Sequence, residues 1–329
     1  MADGEKILDI KNLHVWYLTY DGYAKVVDGV DLHVKKGEKV GLVGETGCGK
    51  TTTMKAVLRI LPEGNAYIPQ GQINFNGKDI LQMNENDLQK VRKKGIAMIF
   101  QEPTTALNPV FTIGTQMIDI IKHSEFTRDM NKEKMRDIAI RAVKEVFIAD
   151  PERILDCYPH QLSGGMKQRI CIAMSIMIPR DLLIADEPGT SLDVTIQDQV
   201  HRLLRDLVDK KGMSLIMITH SLGVARELTD RIYVMYAGNI VEVARTRDLF
   251  SNPLHPYTRG LLSSVPRLSG GGLAEGIYGN IPDYIYPPSG CRFHPRCPDV
   301  MDCCKRQKPQ LIDIDNNHKV ACFKIREAE

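Results

Sequence analysis

A chain of 329 residues is long enough for a substantial apolar core and for more than one domain. With 43 basic against 41 acidic side chains, its net charge of +2 leaves no basic surplus of the kind that tracks a nucleic-acid backbone. No apolar run approaches the ~18–20 residues of a membrane span, and the opening MADGEKILDIKNL lacks a signal-peptide core, so the expectation is an intracellular chain whose membrane role requires a partner.

Residues 7–43 alternate and then run apolar, predicting strands that end in a short buried one over residues 40–43. The next segment, GETGCGKT at residues 44–51, fits G-x4-G-K-[ST] with a strand before it and a helix after it. Its glycines let backbone N–H groups wrap phosphates, Lys50 supplies positive charge at the β/γ positions, and the Thr51 hydroxyl suits Mg²⁺. The helix behind it places Met54, Val57, Leu58 and Leu61 on one face and stops at Pro62 and Gly64. Asn76-Gly77 predicts a hairpin over residues 72–80. A second apolar run, residues 96–100, ends at Gln101, and residues 112–157 are charged and helical in pattern, broken at Asp150-Pro151.

LSGGMKQ at residues 162–168 carries the most information. Ser163, Gly164 and Gly165 open a helix whose largely apolar run covers residues 170–178. A helix N-terminus with a hydroxyl and no bulky side chain is suited to an anion. With one phosphate loop already present, a second anion site implies a nucleotide gripped from two sides. LLIADEP at residues 182–188 is an apolar strand ending in two carboxylates with different roles: Asp186 suits support of Mg²⁺, while Glu187 can orient and polarise an attacking water. Gln101 and His220 each follow a short buried run, at the edge where α/β sheets bind ligands, and read as sensors of a γ-phosphate. Asp193, in a short polar loop, suits the N-cap of a helix from residue 194. Strands alternating with helices give an α/β class.

Near residue 268 the composition turns Gly- and Pro-rich, as in a linker or irregular wrap. Of eight cysteines, five fall between Cys291 and Cys322, which in a reducing compartment points to metal before disulfide. Four thiolates suit zinc or a [4Fe–4S] cluster, and the absence of CxxC pairing favours the cluster. Free buried thiols are the structural alternative, and Cys303 competes with its neighbour Cys304 as a ligand. Cys48, at a helix N-terminus beside Lys50, is expected to favour the thiolate and to react readily.

In that order and spacing, GETGCGKT, FQEP, LSGGMKQ, LLIADEP, SLD and ITH resemble the ATP-binding cassette ATPases over roughly residues 7–250. YPHQLSGGMKQRI, ITHSLGVARELTDRIYVMYAGNIVE, HPYTRGLLSSVPRL and PPSGCRFHPRCP narrow the resemblance to the dipeptide/oligopeptide importers, as the first of two ATPase subunits, over nearly the whole chain. The resemblance implies a P-loop NTPase (RecA-like) core with an antiparallel β subdomain and a helical subdomain at about residues 102–162. These make an ATPase domain of residues 1–265, followed by an irregular Cys-rich extension over residues 266–329.

It also implies roles. ATP would be bound by Gly44, Glu45, Thr46, Gly47, Cys48, Gly49, Lys50, Thr51 and Thr52, with Mg²⁺ on Thr51 and Gln101 and Asp186 supporting it. Gln101 would relay to a membrane subunit, and the surface that couples to it is expected in the insertion between Gln101 and Ser163. Ser163, Gly164, Gly165 and Gln168 would cap the ATP of an opposite subunit. Glu187 would serve the water, Asp193 a dimer-facing loop and His220 the γ-phosphate. Tyr17 is the chosen adenine-stacking aromatic, with Trp16 and Tyr23 as competitors. Cys291, Cys297, Cys304 and Cys322 would hold a [4Fe–4S] cluster, with Zn²⁺ as the alternative. Partners would be a second, different ATPase subunit, two integral permeases and, indirectly, a solute-binding protein, with no nucleic acid, at the cytoplasmic face of the cell membrane. The solute would be a dipeptide or oligopeptide, with nickel chelates or oligosaccharides as alternatives; a soluble non-transport ATPase is a further reading. One departure is Gly189-Thr190-Ser191, where relatives often carry Thr-Thr-Ala or Thr-Ser-Ala.

Overall fold

The computed structural model describes residues 4–124, 130–264, 276–315 and 317–326, and the chain divides into two compact units. Residues 1–82 and 217–329 form one, residues 83–216 the other.

In the first unit, Lys6–Thr19 and Gly22–Lys35 make a long antiparallel pair. Leu8, Ile10, Leu13 and Val15 on one strand and Val27, Val30, Leu32 and Val34 on the other are at most 1% exposed, so one face of the pair is core. The alternation slips by one between Ile10 and Leu13, where Asn12 sits at φ 45° and the register shifts. That bulge keeps both halves of the strand facing inward. Gln72–Phe75 pairs with the other edge of Lys6–Thr19 and turns back into Lys78–Asp79 through Asn76 (φ 48°) and Gly77 (φ 75°), the expected Asn-Gly hairpin.

A second sheet in this unit begins with Lys39–Val43, parallel to Arg231–Tyr236, which hairpins into Asn239–Arg245. Two strands of the C-terminal extension, His318–Val320 and Ile312–Asp315, then pair antiparallel on the outer edge. The extension was expected to be irregular throughout. Instead it covers part of an edge that would otherwise present unpaired backbone groups. Glu242, wholly buried in that hairpin, fixes the attachment: its carboxylate accepts from Leu254 N (2.8 Å) and His255 N (2.9 Å) and lies 2.7 Å from His318 Nε2. Burial alone would raise Glu242, but these hydrogen bonds, led by that of His318, hold it below the usual carboxylate range.

The second unit contains the parallel pair Ile96–Ile99 and Leu182–Asp186, in register from Ile96 with Leu182. Every residue of Leu182–Asp186 is buried, which is why the sequence reads as a bare apolar run. The insertion at residues 102–162 holds the helices Pro103–Ala106, Ile113–Lys122, Lys132–Glu145 and Pro151–Asp156. Thr112 and Asn131 cap two of them by accepting from Thr115 N and Lys134 N. Gly114 lets two of these helices touch closely: a Cβ there would lie 2.8 Å from Leu155 O. The division anticipated after residue 265 falls outside the described residues, and the strands of the extension belong to the first unit. None of the described helices is long and apolar enough to cross a membrane.

Candidate nucleotide site and cysteine pocket

Residues 44–49 carry the chain from the buried strand Lys39–Val43 into the helix Lys50–Val57. A Cβ on Gly44 would lie 2.1 Å from Met235 O, and one on Gly49, at φ 108°, 3.0 Å from Val26 O. Close backbone passage therefore requires glycine at both positions. Lys50 is 4% exposed, and its ammonium donates to Gly44 O (2.8 Å) and Glu45 O (3.0 Å), which holds the positive charge against the loop itself. Beside the loop, the Tyr17 hydroxyl donates to Thr52 Oγ1 at 3.5 Å. Trp16, Tyr23 and Tyr67 form a separate cluster, with ring centroids 6.0 Å and 5.6 Å apart. Period-two alternation thus sends Tyr17 toward the loop's helix and its competitors elsewhere. His220 is exposed and directly follows the strand Ser214–Thr219.

Cys48 corrects the expectation of a reactive thiolate. It is fully buried, and burial raises its pKa more than the nearby Lys50 lowers it. The helix N-terminus was legible; the desolvation was not. Native protein should therefore react at Cys48 with a maleimide far more slowly than denatured protein, with or without MgATP. Mass-spectrometric mapping of the label would check this, and fast labelling of folded, nucleotide-free protein would contradict it.

In the second unit, Asp186 (2% exposed) ends the strand Leu182–Asp186 and Glu187 (8%) directly follows it. Glu187 takes φ 45°, a left-handed conformation costly for a side chain of this size and often found at functional positions. Its carboxylate is held from two sides: Gln101 Nε2 donates to Oε2 at 3.3 Å, and Thr190 Oγ1 donates to the same oxygen at 3.3 Å. The neighbouring Gly189 sits at φ 104°, which a β-branched threonine would resist. The departure from the usual Thr-Thr-Ala therefore suits the local backbone.

Ser163 accepts from Met166 N (3.3 Å) as the N-cap of Gly164–Ile176, and Asp193 accepts from Ile196 N (3.0 Å) as the N-cap of Val194–Lys211. These two helix starts lie side by side, since Cβ atoms on Gly164 and Gly165 would sit 3.3 Å from Leu192 and 3.1 Å from Ile196. Gln168 is 0% exposed, whereas Ser163 is exposed. At about 100° per residue, five positions turn it well away from the face that Ser163 presents.

Cys291, Cys297, Cys304 and Cys322 all line one small pocket of the first unit, and Cys303 is not among its lining residues. Burial pushes the thiols of Cys291 and Cys297 up to about 11, with the neighbouring sulfurs adding to the effect, and burial also raises that of Cys322. Among the described residues, no three His, Cys, Asp or Glu side chains come together closely enough to hold a single metal ion.

Residues 27–190 match the ABC transporter family, and residues 241–304 match the oligopeptide/dipeptide transporter C-terminal region. The chain is 43% identical to the dipeptide transport ATP-binding protein DppD of Bacillus subtilis (strain 168), over 97% of this chain and 95% of that protein. It belongs to the dipeptide/oligopeptide-type ABC transporter ATPases. This ABC ATPase is also 39% identical to the oligopeptide transport ATP-binding protein OppD of Escherichia coli (strain K12), over 97% of this chain and 94% of that one. Among solved structures, the ATP-binding cassette MJ0796, a dimer bound to ADP and Pi, matches with a TM-score of 0.65 at 24% identity, over 73% of this chain and 99% of that one. CbiO1 of Clostridium perfringens matches with a TM-score of 0.62 at 25% identity, over 75% and 92%. The fold is that of the ABC cassette, a mixed α/β P-loop NTPase core with an antiparallel β subdomain. The protein is an ABC-type transport ATPase that binds ATP.

Proposed function

We propose that this ABC ATPase powers uptake of dipeptides or oligopeptides, working with a second, different ATPase subunit and two integral permeases at the cytoplasmic face of the membrane. The observation that carries this is the reach of the similarity to DppD: 43% identity runs over 97% of the chain, including the C-terminal region matched at residues 241–304. A generic cassette match would stop short of that region.

In this reading residues 44–52 cradle the phosphates, and Tyr17 stacks on the adenine. Ser163, Gly164 and Gly165 face the ATP of the opposing subunit, with Asp193 at the shared boundary. Glu187 orients the attacking water, whose oxygen bonds to the γ-phosphorus as the bond to the β-bridging oxygen breaks; the water's proton passes toward the carboxylate. Support for that role comes from the two hydrogen bonds, from Gln101 and Thr190, that fix the Glu187 carboxylate. His220 contacts the γ-phosphate. Mg²⁺, implied by the family, would be held by Thr51 and Gln101 with Asp186 in support, and would neutralise phosphate charge when bound. Affinity purification of the tagged chain from gently solubilised membranes should recover two integral permeases and one further ATPase. Recovery of this chain only as a homodimer would overturn the partner assignment.

The same reading gives Cys291, Cys297, Cys304 and Cys322 a structural [4Fe–4S] cluster. Their shared pocket supports it, with Cys304 rather than Cys303 as the third ligand. Four thiolates at this pocket suit either a cluster or a zinc ion held at about 2.3 Å, and metal content decides between them. Anaerobically purified protein should contain about four irons and four sulfides per chain. Stoichiometric zinc without sulfide would overturn the cluster in favour of a zinc site.

A further inference from the structure

The phosphate loop is held from behind by residues more than 200 positions away. Arg296 Nη1 pairs with both carboxylate oxygens of Glu45, at 2.9 and 3.2 Å. The amide N–H of Glu45 donates to the Tyr257 hydroxyl at 2.9 Å. The Tyr284 hydroxyl donates to Gly47 O at 2.8 Å. A carbonyl and a carboxylate cannot bind an anion, so Gly47 O and the Glu45 carboxylate serve the loop's shape rather than its phosphate, and the Glu45 N–H is already engaged by Tyr257.

Arg296 is itself closely fixed. Its side chain is 6% exposed, its Nε donates to Tyr278 O (2.9 Å) and its Nη2 to Ile277 O (3.0 Å), and its guanidinium lies 5.7 Å from the Tyr236 ring centroid. It sits on the short turn His294–Arg296, immediately before Cys297, and the turn is closed by Arg296 N donating to Phe293 O (3.0 Å). One rigid residue therefore joins the cysteine pocket to the second position of the phosphate loop.

A loop whose N–H groups must converge on phosphate has little reason to keep that shape when empty. Any fraction of time spent in other shapes weakens apparent affinity in proportion. Fixing the loop from behind removes that loss without touching the nucleotide. We propose that the C-terminal extension is a brace that presets the phosphate loop for ATP, with Arg296 as its principal positioning residue and Tyr284 as a second contact. The proposal rests on the reading that residues 44–52 bind the phosphates of ATP.

The test uses the full chain, with ATP affinity measured by a fluorescent ATP analogue and turnover by phosphate release. Arg296→Gln should weaken nucleotide binding about five- to ten-fold, the scale of ordinary coupling between sites, while kcat at saturating ATP stays near wild type. Arg296→Lys should recover part of the loss, because it keeps the charge but not the planar fork. Glu45→Gln combined with Arg296→Gln should cost no more than either alone, since both remove one interaction. A merely structural tether predicts something different: a lower melting temperature with unchanged ATP affinity, and that result would overturn the brace. If Arg296→Gln does not fold, Tyr284→Phe removes only the hydroxyl on Gly47 O and should still weaken ATP about two- to three-fold, in line with one lost hydrogen bond. Wild-type affinity in that variant would also overturn the proposal. Lys50→Ala separates the two layers: wild-type ATP binding in Lys50→Ala would sink the phosphate-loop reading itself, whatever Arg296 does.

Discussion

Glu187→Gln is expected to stop ATP turnover while leaving ATP binding intact. Glutamine keeps the size of the side chain and a carbonyl oxygen that can accept from Gln101 and Thr190, so the local packing of this 8%-exposed residue should survive. It removes the ability to accept a proton from water and the negative charge that polarises it. General-base catalysis accounts for on the order of 10²–10⁴-fold in rate, and a fall of that size in kcat is the expected result. ATP should then accumulate on the protein without being spent, visible as retained nucleotide after gel filtration. Hydrolysis near the wild-type rate would show that Glu187 is not the residue that activates water.

Lys50→Ala should have a comparably large effect, on the opposite side of the kinetic scheme. The Lys50 ammonium is 4% exposed and donates to Gly44 O and Glu45 O, so its charge is desolvated and held against the loop. Removing it leaves the phosphates without their nearest cation in a largely buried setting. Truncating one member of a buried charge pair costs ~2–5 kcal/mol, so affinity for ATP should fall by at least on the order of 10-fold and by 10²-fold or more across most of that range. The rise in melting temperature that MgATP gives the wild-type protein should vanish accordingly. Tight ATP binding by a folded Lys50→Ala protein would contradict the loop's assignment.

Much of the framework was legible because it depends on local chemistry. Asn76-Gly77 dictated a hairpin, since both residues must take positive φ and these two tolerate it. The bare apolar runs ending at Asp186 and Thr219 became strands buried along their whole length. Ser163 and Asp193 were recognisable as helix caps from the residues that followed them. Gln101 and Glu187, read separately as functional strand ends, meet at 3.3 Å. What spacing could not convey was solvent. Cys48 has the helix N-terminus and the lysine that usually activate a thiol, yet full burial reverses the outcome. Gln168 shares the LSGGMKQ segment with the exposed Ser163, yet helical rotation buries it. The pairing of Arg296 with Glu45 spans 251 positions and joins two segments that each look like ordinary loop. The two strands of the extension went unseen for a related reason: short strands at a sheet edge draw their stability from the partner edge, not from their own pattern.

If ATP hydrolysis by this chain drives peptide import, transport itself should show it. The chain would be reconstituted into proteoliposomes with the permease pair, the second ATPase subunit and the solute-binding protein of its own organism. Accumulation of a radiolabelled dipeptide or oligopeptide would then be followed with MgATP supplied on the ATPase side. The expected result is accumulation that requires MgATP and this chain, and that Glu187→Gln abolishes. Peptide accumulation that proceeds equally well without this chain, or ATP hydrolysis with uptake of a nickel chelate or an oligosaccharide but of no peptide, would contradict it.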